Sequence, residues 1–170
     1  MKKIILSAFM LIGLAFSTQA QDISKNALGL RIGDNNGFGG EISYQRQIVS
    51  KMNRIELDLG WRNSKYVDAV KLVGTYQWVW EIDNGFNWYA GFGGGIGNWR
   101  YNGPGNPDTN GGTFIVAAGD IGIEYNFKEA PIQLSLDLRP ELYLGDNRGD
   151  FDNSYNNFGP DLGFAVRYKF

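Results

Sequence analysis

The chain contains no cysteine and no histidine. That double absence excludes disulfides, thiol nucleophiles, lipid attachment through a thiol, imidazole metal ligands and every Ser-His or Asp-His catalytic pair. Proline is scarce, 5 in 170 residues, against 24 glycines without a collagen-like period, so the fold needs places where backbones approach closely. Basic and acidic residues nearly balance, 16 against 18, and no basic patch stands out to serve nucleic acid. No apolar run reaches the ~20 residues of a membrane-spanning helix. The length allows one domain and little more.

What is present begins with an address. Lys2 and Lys3 form a positive start, Ile4 to Phe16 is mostly apolar, and Ser17-Thr18-Gln19-Ala20 ends with small residues where a signal peptidase reads them. Residues 1–20 are therefore expected to be a signal peptide cleaved after Ala20, leaving 21–170 as the mature domain, more acidic than the precursor. The protein is expected to be exported.

From Asn26 onward apolar and polar residues alternate with period two, and no amphipathic helix is apparent. The pattern predicts strands at 26–33, 40–48, 53–62, 69–82, 86–98, 113–126, 131–144 and 158–170. Short connections (49–52, 83–85, 127–130) alternate with longer polar ones (34–39, 63–68, 99–112, 145–157). An all-β, eight-stranded antiparallel up-and-down barrel follows, with short turns at one rim and long loops at the other.

Volume decides which face is inside. One face collects large apolar side chains on every strand, among them Leu30, Leu57, Leu72, Phe92, Ile123, Leu136 and Phe164. An eight-stranded barrel has an interior that one modest set of side chains fills, so this face cannot point inward. The other face, of glycines, small residues and charges, fits a narrow lumen. An outward apolar face is a liability in water and a requirement in lipid. The aromatics sort by strand end. Trp78, Trp80, Trp88, Tyr125, Tyr168 and Phe170 fall near the short turns, and Phe38, Trp61, Trp99, Tyr101, Phe114 and Tyr143 near the long loops, which predicts two interfacial girdles. Long loops then face the exterior and short turns the periplasm.

The final strand, Asp161-Leu-Gly163-Phe-Ala-Val166-Arg-Tyr168-Lys-Phe170, joins a polar residue, a glycine, alternating apolar positions and a terminal aromatic. With the leader, it resembles the small eight-stranded outer-membrane barrels of the OmpA/OmpX type over essentially the whole mature chain. The resemblance implies insertion into the outer membrane of a Gram-negative-type cell by the assembly machinery, with Gly163, Val166, Tyr168 and Phe170 as the assembly signal. It implies no single activity, because fold does not set function.

The inward positions carry Arg31, Arg54, Lys71, Arg139, Arg167 and Lys169 beside Glu41, Glu56, Asp58, Glu81, Asp120, Glu124, Asp137, Glu141 and Asp161. Paired carboxylates can perform glycosidase-type acid-base chemistry. Buried charges must pair in any case, and a lumen too narrow for water fills itself with salt bridges. The expected central network is Arg31, Arg139 and Arg167 with Glu56, Asp120 and Asp137, in structural roles. The glycine run Ala90-Gly91-Phe92-Gly93-Gly94-Gly95-Ile96-Gly97 lacks the spacing and following helix of a phosphate loop and reads as a strand that bends and gives neighbours room. Arg148-Gly149-Asp150 spells an adhesion tripeptide within a loop already rich in Gly and Asp. Asp146, Asp150 and Asp152 are weak candidates for a divalent ion, without the spacing of an EF-hand.

No enzyme activity and no cofactor are expected. The reading is an integral outer-membrane barrel with a closed, charge-filled lumen, contacting lipid and lipopolysaccharide and serving a structural or surface-interaction role. An unknown extracellular partner would be met through loops 99–112 and 145–157, with Trp99, Tyr101, Phe151 and Tyr155 as aromatic anchors. The alternatives are a small pore or apolar-molecule conduit, and a soluble exported ligand-binding barrel.

Overall fold

The computed structural model describes residues 23–33, 39–48, 52–63, 65–103, 111–144 and 158–170. The expected leader at 1–20 lies outside them, as do Phe38, the acidic cluster Asp146, Asp150 and Asp152, the Arg148-Gly149-Asp150 tripeptide, Phe151 and Tyr155. Eight strands follow one another: β1 (Asn26–Ile32), β2 (Gly40–Gln47), β3 (Asn53–Asn63), β4 (Val67–Asp83), β5 (Phe86–Tyr101), β6 (Gly111–Asn126), β7 (Ile132–Leu144) and β8 (Phe158–Lys169). Each pairs antiparallel with its neighbours in chain order, and β8 returns to pair with β1, so the sheet closes into a barrel. Closure removes both sheet edges.

Period two sets the two faces as expected. In β7 the burial alternates residue by residue, with Leu136, Leu138 and Leu142 exposed and Ser135, Asp137, Arg139 and Glu141 buried. β3 and β8 repeat the alternation. Branched and aromatic side chains suit a pleated wall, and here they cover its outside.

Local chemistry explains the irregular points. Asn84 and Gly85, with φ of 45° and 95°, form the two-residue turn between β4 and β5, which needs two positive φ values and favours Asn-Gly for that reason. Just before it the register shifts between Glu81 and Asp83, which twists the hairpin end. Along β5 a Cβ on Gly91, Gly93 or Gly95 would collide with the backbone of β4, so the glycine run lets these strands close up where the wall bends. Between β6 and β7 the paired residues pass from Ala118↔Glu141 to Ile121↔Leu138, skipping Gly119-Asp120 and Arg139-Pro140. Pro140 has no N–H to give at that point, and it faces a second proline, Pro160, on β8.

The strands are longer than expected on one side. β4 starts at Val67 rather than 69, β5 runs to Tyr101 rather than 98, and β6 starts at Gly111 rather than 113. Trp99 pairs with Ala69 and with Gly112, so the segment expected as loop 99–112 belongs to the wall at both of its ends.

Candidate functional site

The lumen holds the chemistry, and its middle is ionic. Five buried cations, Arg31, Arg54, Lys71, Arg139 and Arg167, meet eight buried carboxylates, Glu41, Glu56, Asp58, Asp120, Glu124, Asp137, Glu141 and Asp161. Inward alternation on every strand but β5 delivers them. Arg31 of β1 is the widest bridge: its Nη1 donates to Asp161 Oδ2 at 2.7 Å and to Glu41 Oε2 at 3.1 Å, and its Nε and Nη2 both donate to Asp137 Oδ1. A Cβ on Gly163 would run into that guanidinium, so the glycine is the seat of Arg31. Arg139 of β7 reaches across to β2 and β3, donating to Asp58 Oδ2 at 2.7 Å, Glu41 Oε2 at 3.2 Å and Glu56 Oε1 at 3.4 Å. Arg167 of β8 donates to Glu56 Oε1 at 2.6 Å and to the hydroxyls of Ser43 and Ser135 at 2.9 and 2.7 Å.

All six residues expected at the centre are buried in this network. Asp120 sits at its edge, 4.0 Å from Arg139 Nη2, and accepts its hydrogen bond from Gln77 Nε2 at 2.6 Å. The centre also holds Glu41, Asp58 and Asp161, each paired with Arg31 or Arg139. Two further nodes flank the centre. Lys71 Nζ donates to both oxygens of Glu141 at 2.9 and 3.0 Å. Arg54 donates to Glu124 at 2.6 Å and lies 4.7 Å from the centre of the Tyr89 ring.

Donors and acceptors are both left over: Arg54 Nη2 and Arg139 Nε donate no hydrogen bond to the described residues. Asp58 Oδ1, Asp120 Oδ1 and Asp137 Oδ2 receive no hydrogen bond from the described residues. The carboxylates are committed to cations rather than arranged as a facing acid and base at an open cleft. Among the described residues no three acidic side chains converge as metal ligands.

The long-loop end of the lumen is apolar, and a smaller apolar cluster lies near the short turns among polar groups. Toward the long loops, Trp99 (4% exposed), Phe114 (2%) and Tyr143 (0%) pack with Ala69, Val73, Val116 and Ala118, with Tyr101 against them. This corrects the outer girdle: Trp99, Phe114, Tyr143 and Tyr101 belong to the inside. Trp99 shares the face of Gly97 two residues earlier, and period two leaves it no choice. The Phe114 ring occupies the space that a Cβ on Gly97 would need. Tyr143 is anchored by its hydroxyl, which donates to Glu141 at 2.6 Å. Trp61 does face outward. Toward the short turns Ile23, just ahead of β1, packs with Val79 and Tyr89, and the buried Asn87–Glu124 pair lies one rung nearer the turn than Tyr89. Neither Ile23 nor Tyr89 was identifiable as part of this cluster from its type alone, although the parity of Tyr89 with Asn87 places it inside.

Near the short turns the aromatic side chains pack on one another along the outer face. Trp80 and Trp88 stack with ring centres 4.3 Å apart, Tyr76 meets Trp78 edge-on at 4.9 Å, and Phe86 and Phe127 flank Tyr125 at 4.5 and 4.8 Å. On β8, Val166, Tyr168 and Phe170 face outward.

No family model matches the chain, and no curated protein sequence does. Solved structures do. The N-terminal β-barrel domain of Pseudomonas aeruginosa OprF aligns with a TM-score of 0.62 at 10% identity, covering 86% of this chain and 98% of that one. Neisserial surface protein A aligns at 0.58 and 15% identity, covering 85% and 94%. Ail, the attachment invasion locus protein of Yersinia pestis, aligns at 0.53 and 13% identity, covering 86% and 97%. At these identities the likeness is one of fold, and in fold this chain is an eight-stranded β-barrel of the outer-membrane type.

Proposed function

We propose that the protein is an integral outer-membrane barrel whose wall and lumen are an anchor, and whose task in the envelope, structural or adhesive, is performed at the rim that carries the long loops. One observation carries the reading: among the described residues the lumen-facing side chains are buried, apolar toward the long loops and ionic through the middle, while the exterior is apolar on every strand. Such an exterior belongs in hydrocarbon, and such an interior supports a closed tube. The neighbour named for attachment and invasion supports a surface role by fold only. We assign no catalytic role, since zero histidine removes the usual base and the lumen carboxylates are engaged with cations.

The partner-contacting segments are then 102–110 and 145–157, shorter at the first than expected because Trp99 and Tyr101 belong to the strand. Lipopolysaccharide is the nearest neighbour of that rim. The last strand, with Gly163 beneath Arg31 and Val166, Tyr168 and Phe170 on the lipid side, serves as the segment that the assembly machinery engages. Planar-bilayer recording of the folded protein tests the closed-anchor reading. The expected result is no unitary current above the lipid baseline, whereas steady channels would favour the pore. Shortening both loops should leave a folded, heat-modifiable barrel and abolish surface binding; a loopless barrel with the full envelope phenotype would move the working part to the wall or the lower rim.

A further inference from the structure

At the rim opposite the long loops, three lysines from three separate segments converge. Lys25 precedes β1, Lys128 lies between β6 and β7, and Lys169 ends β8; with Phe127, Pro131 and Phe170 they line an open cavity of about 520 Å³. That volume falls within the ~300–1,000 Å³ of small-ligand sites. Backbone pairing builds it: Lys169 N donates to Pro131 O at 2.8 Å, Gln47 N donates to Lys25 O at 2.9 Å, and Asn26 and Phe170 exchange bonds at 3.1 and 2.9 Å. Glu129 is the one carboxylate side chain in the lining. Lys169 Nζ donates to the carbonyl of Phe127 at 3.0 Å and Lys128 Nζ to the amide oxygen of Asn84 at 3.2 Å, both neutral acceptors.

The cavity has two characters. Its lysines supply positive charge, while Phe170 (61% exposed) and Phe127 (38%) continue the outward aromatic girdle. A free anion would use only the lysines. A molecule joining a phosphate to hydrocarbon chains would use both, and a membrane barrel meets one at this height. We propose that this cavity seats the headgroup phosphate of an anionic phospholipid in the leaflet on the short-turn side, with Lys25, Lys128 and Lys169 as its charge partners and the acyl chains lying against Phe127 and Phe170. Lysine binds phosphate as a mobile point charge, and each lysine near an anionic lipid surface adds roughly five-fold to binding. The inference rests on the membrane reading above.

The full chain, folded in phosphatidylcholine nanodiscs, is titrated with dioleoyl phosphatidylglycerol, and retained lipid is counted by native mass spectrometry. One phosphatidylglycerol should be held in preference to phosphatidylcholine, and the K25Q/K128Q/K169Q variant should lose that preference by at least ten-fold. If the triple variant fails to fold, K25Q alone serves, because Lys25 lies ahead of the wall; it should lose several-fold. Lys65→Gln, at the opposite rim, should change nothing. Equal retention by wild type and variants, or equal loss with Lys65→Gln, overturns the site. Competition by glycerol phosphate as strong as by the lipid replaces the lipid with a free anion and also overturns it. Failure of the wild type to enter phosphatidylcholine at all defeats the membrane reading first, and this one with it.

Discussion

The ionic middle of the lumen and the apolar plug above it fill the same tube in opposite ways. In the middle, Arg31 holds three carboxylates from three different strands, two of them more than a hundred residues away in the sequence. In the plug, Trp99 and Phe114 chiefly occupy volume, and Tyr143 adds one hydrogen bond to Glu141. Removing one ion takes a partner from several others, whereas removing part of a ring leaves a gap that neighbours partly close. The polar region should therefore be brittle to single changes and the apolar region tolerant of them.

The sharpest way to break that contrast is Arg31→Met. It leaves Asp137 without the guanidinium it is bonded to and takes one partner each from Asp161 and from Glu41, which keeps Arg139 and Lys71, and unfolding in lipid should show a loss of about 3–5 kcal/mol. A smaller loss than that from trimming the plug would show that the network is wet and forgiving. Next in size is Leu136→Arg, which places a charge on the lipid face and should cost about 2–4 kcal/mol if it lies near the midplane. Its neighbour Ser135 faces the lumen, and Ser135→Thr keeps the hydroxyl that Arg167 donates to, so the two should rank far apart. Phe114→Leu in the plug should cost about 1–2 kcal/mol, read from the same unfolding curves. The smallest effect is expected at Asp120→Asn, about 1 kcal/mol or less of either sign. Five cations already face eight carboxylates, and the asparagine oxygen still accepts from Gln77. A large loss there would mean that the network needs every negative charge it has.

Much of this arrangement was legible. The alternation of Leu134, Leu136 and Leu138 with Ser135, Asp137 and Arg139 names both faces of β7 before any coordinates, and volume says which is inside. The same rule would have turned Trp99 inward, since it shares parity with Gly97, and Phe114 also, beside outward Ile115. Sorting aromatics by height alone misplaced them, because a tryptophan near a strand end can face lipid or cap a lumen and only parity distinguishes the two. The identities of the pairs were not legible. Arg31 and Asp137 lie 106 residues apart, and which carboxylate an arginine meets across the tube depends on the stagger of the strands, which no local pattern encodes. Ile23 was missed for a different reason: it precedes the first alternating run, so nothing periodic marks it.

The pairing of β8 with β1 is the contact that joins the two ends of the strand order into a closed wall. Without β8, the other seven form an open sheet with two unpaired margins, one of them β1, and neither margin can be satisfied from within. Once β8 docks, Asn26 and Phe170 lie in register, exchanging bonds at 3.1 and 2.9 Å. A chain with those two ends joined by a short tether and opened instead within 145–157 would keep every rung of the ladder. The contact joining the two ends of its strand order would then be β7 with β8, moved to a different pair of strands without altering the finished molecule.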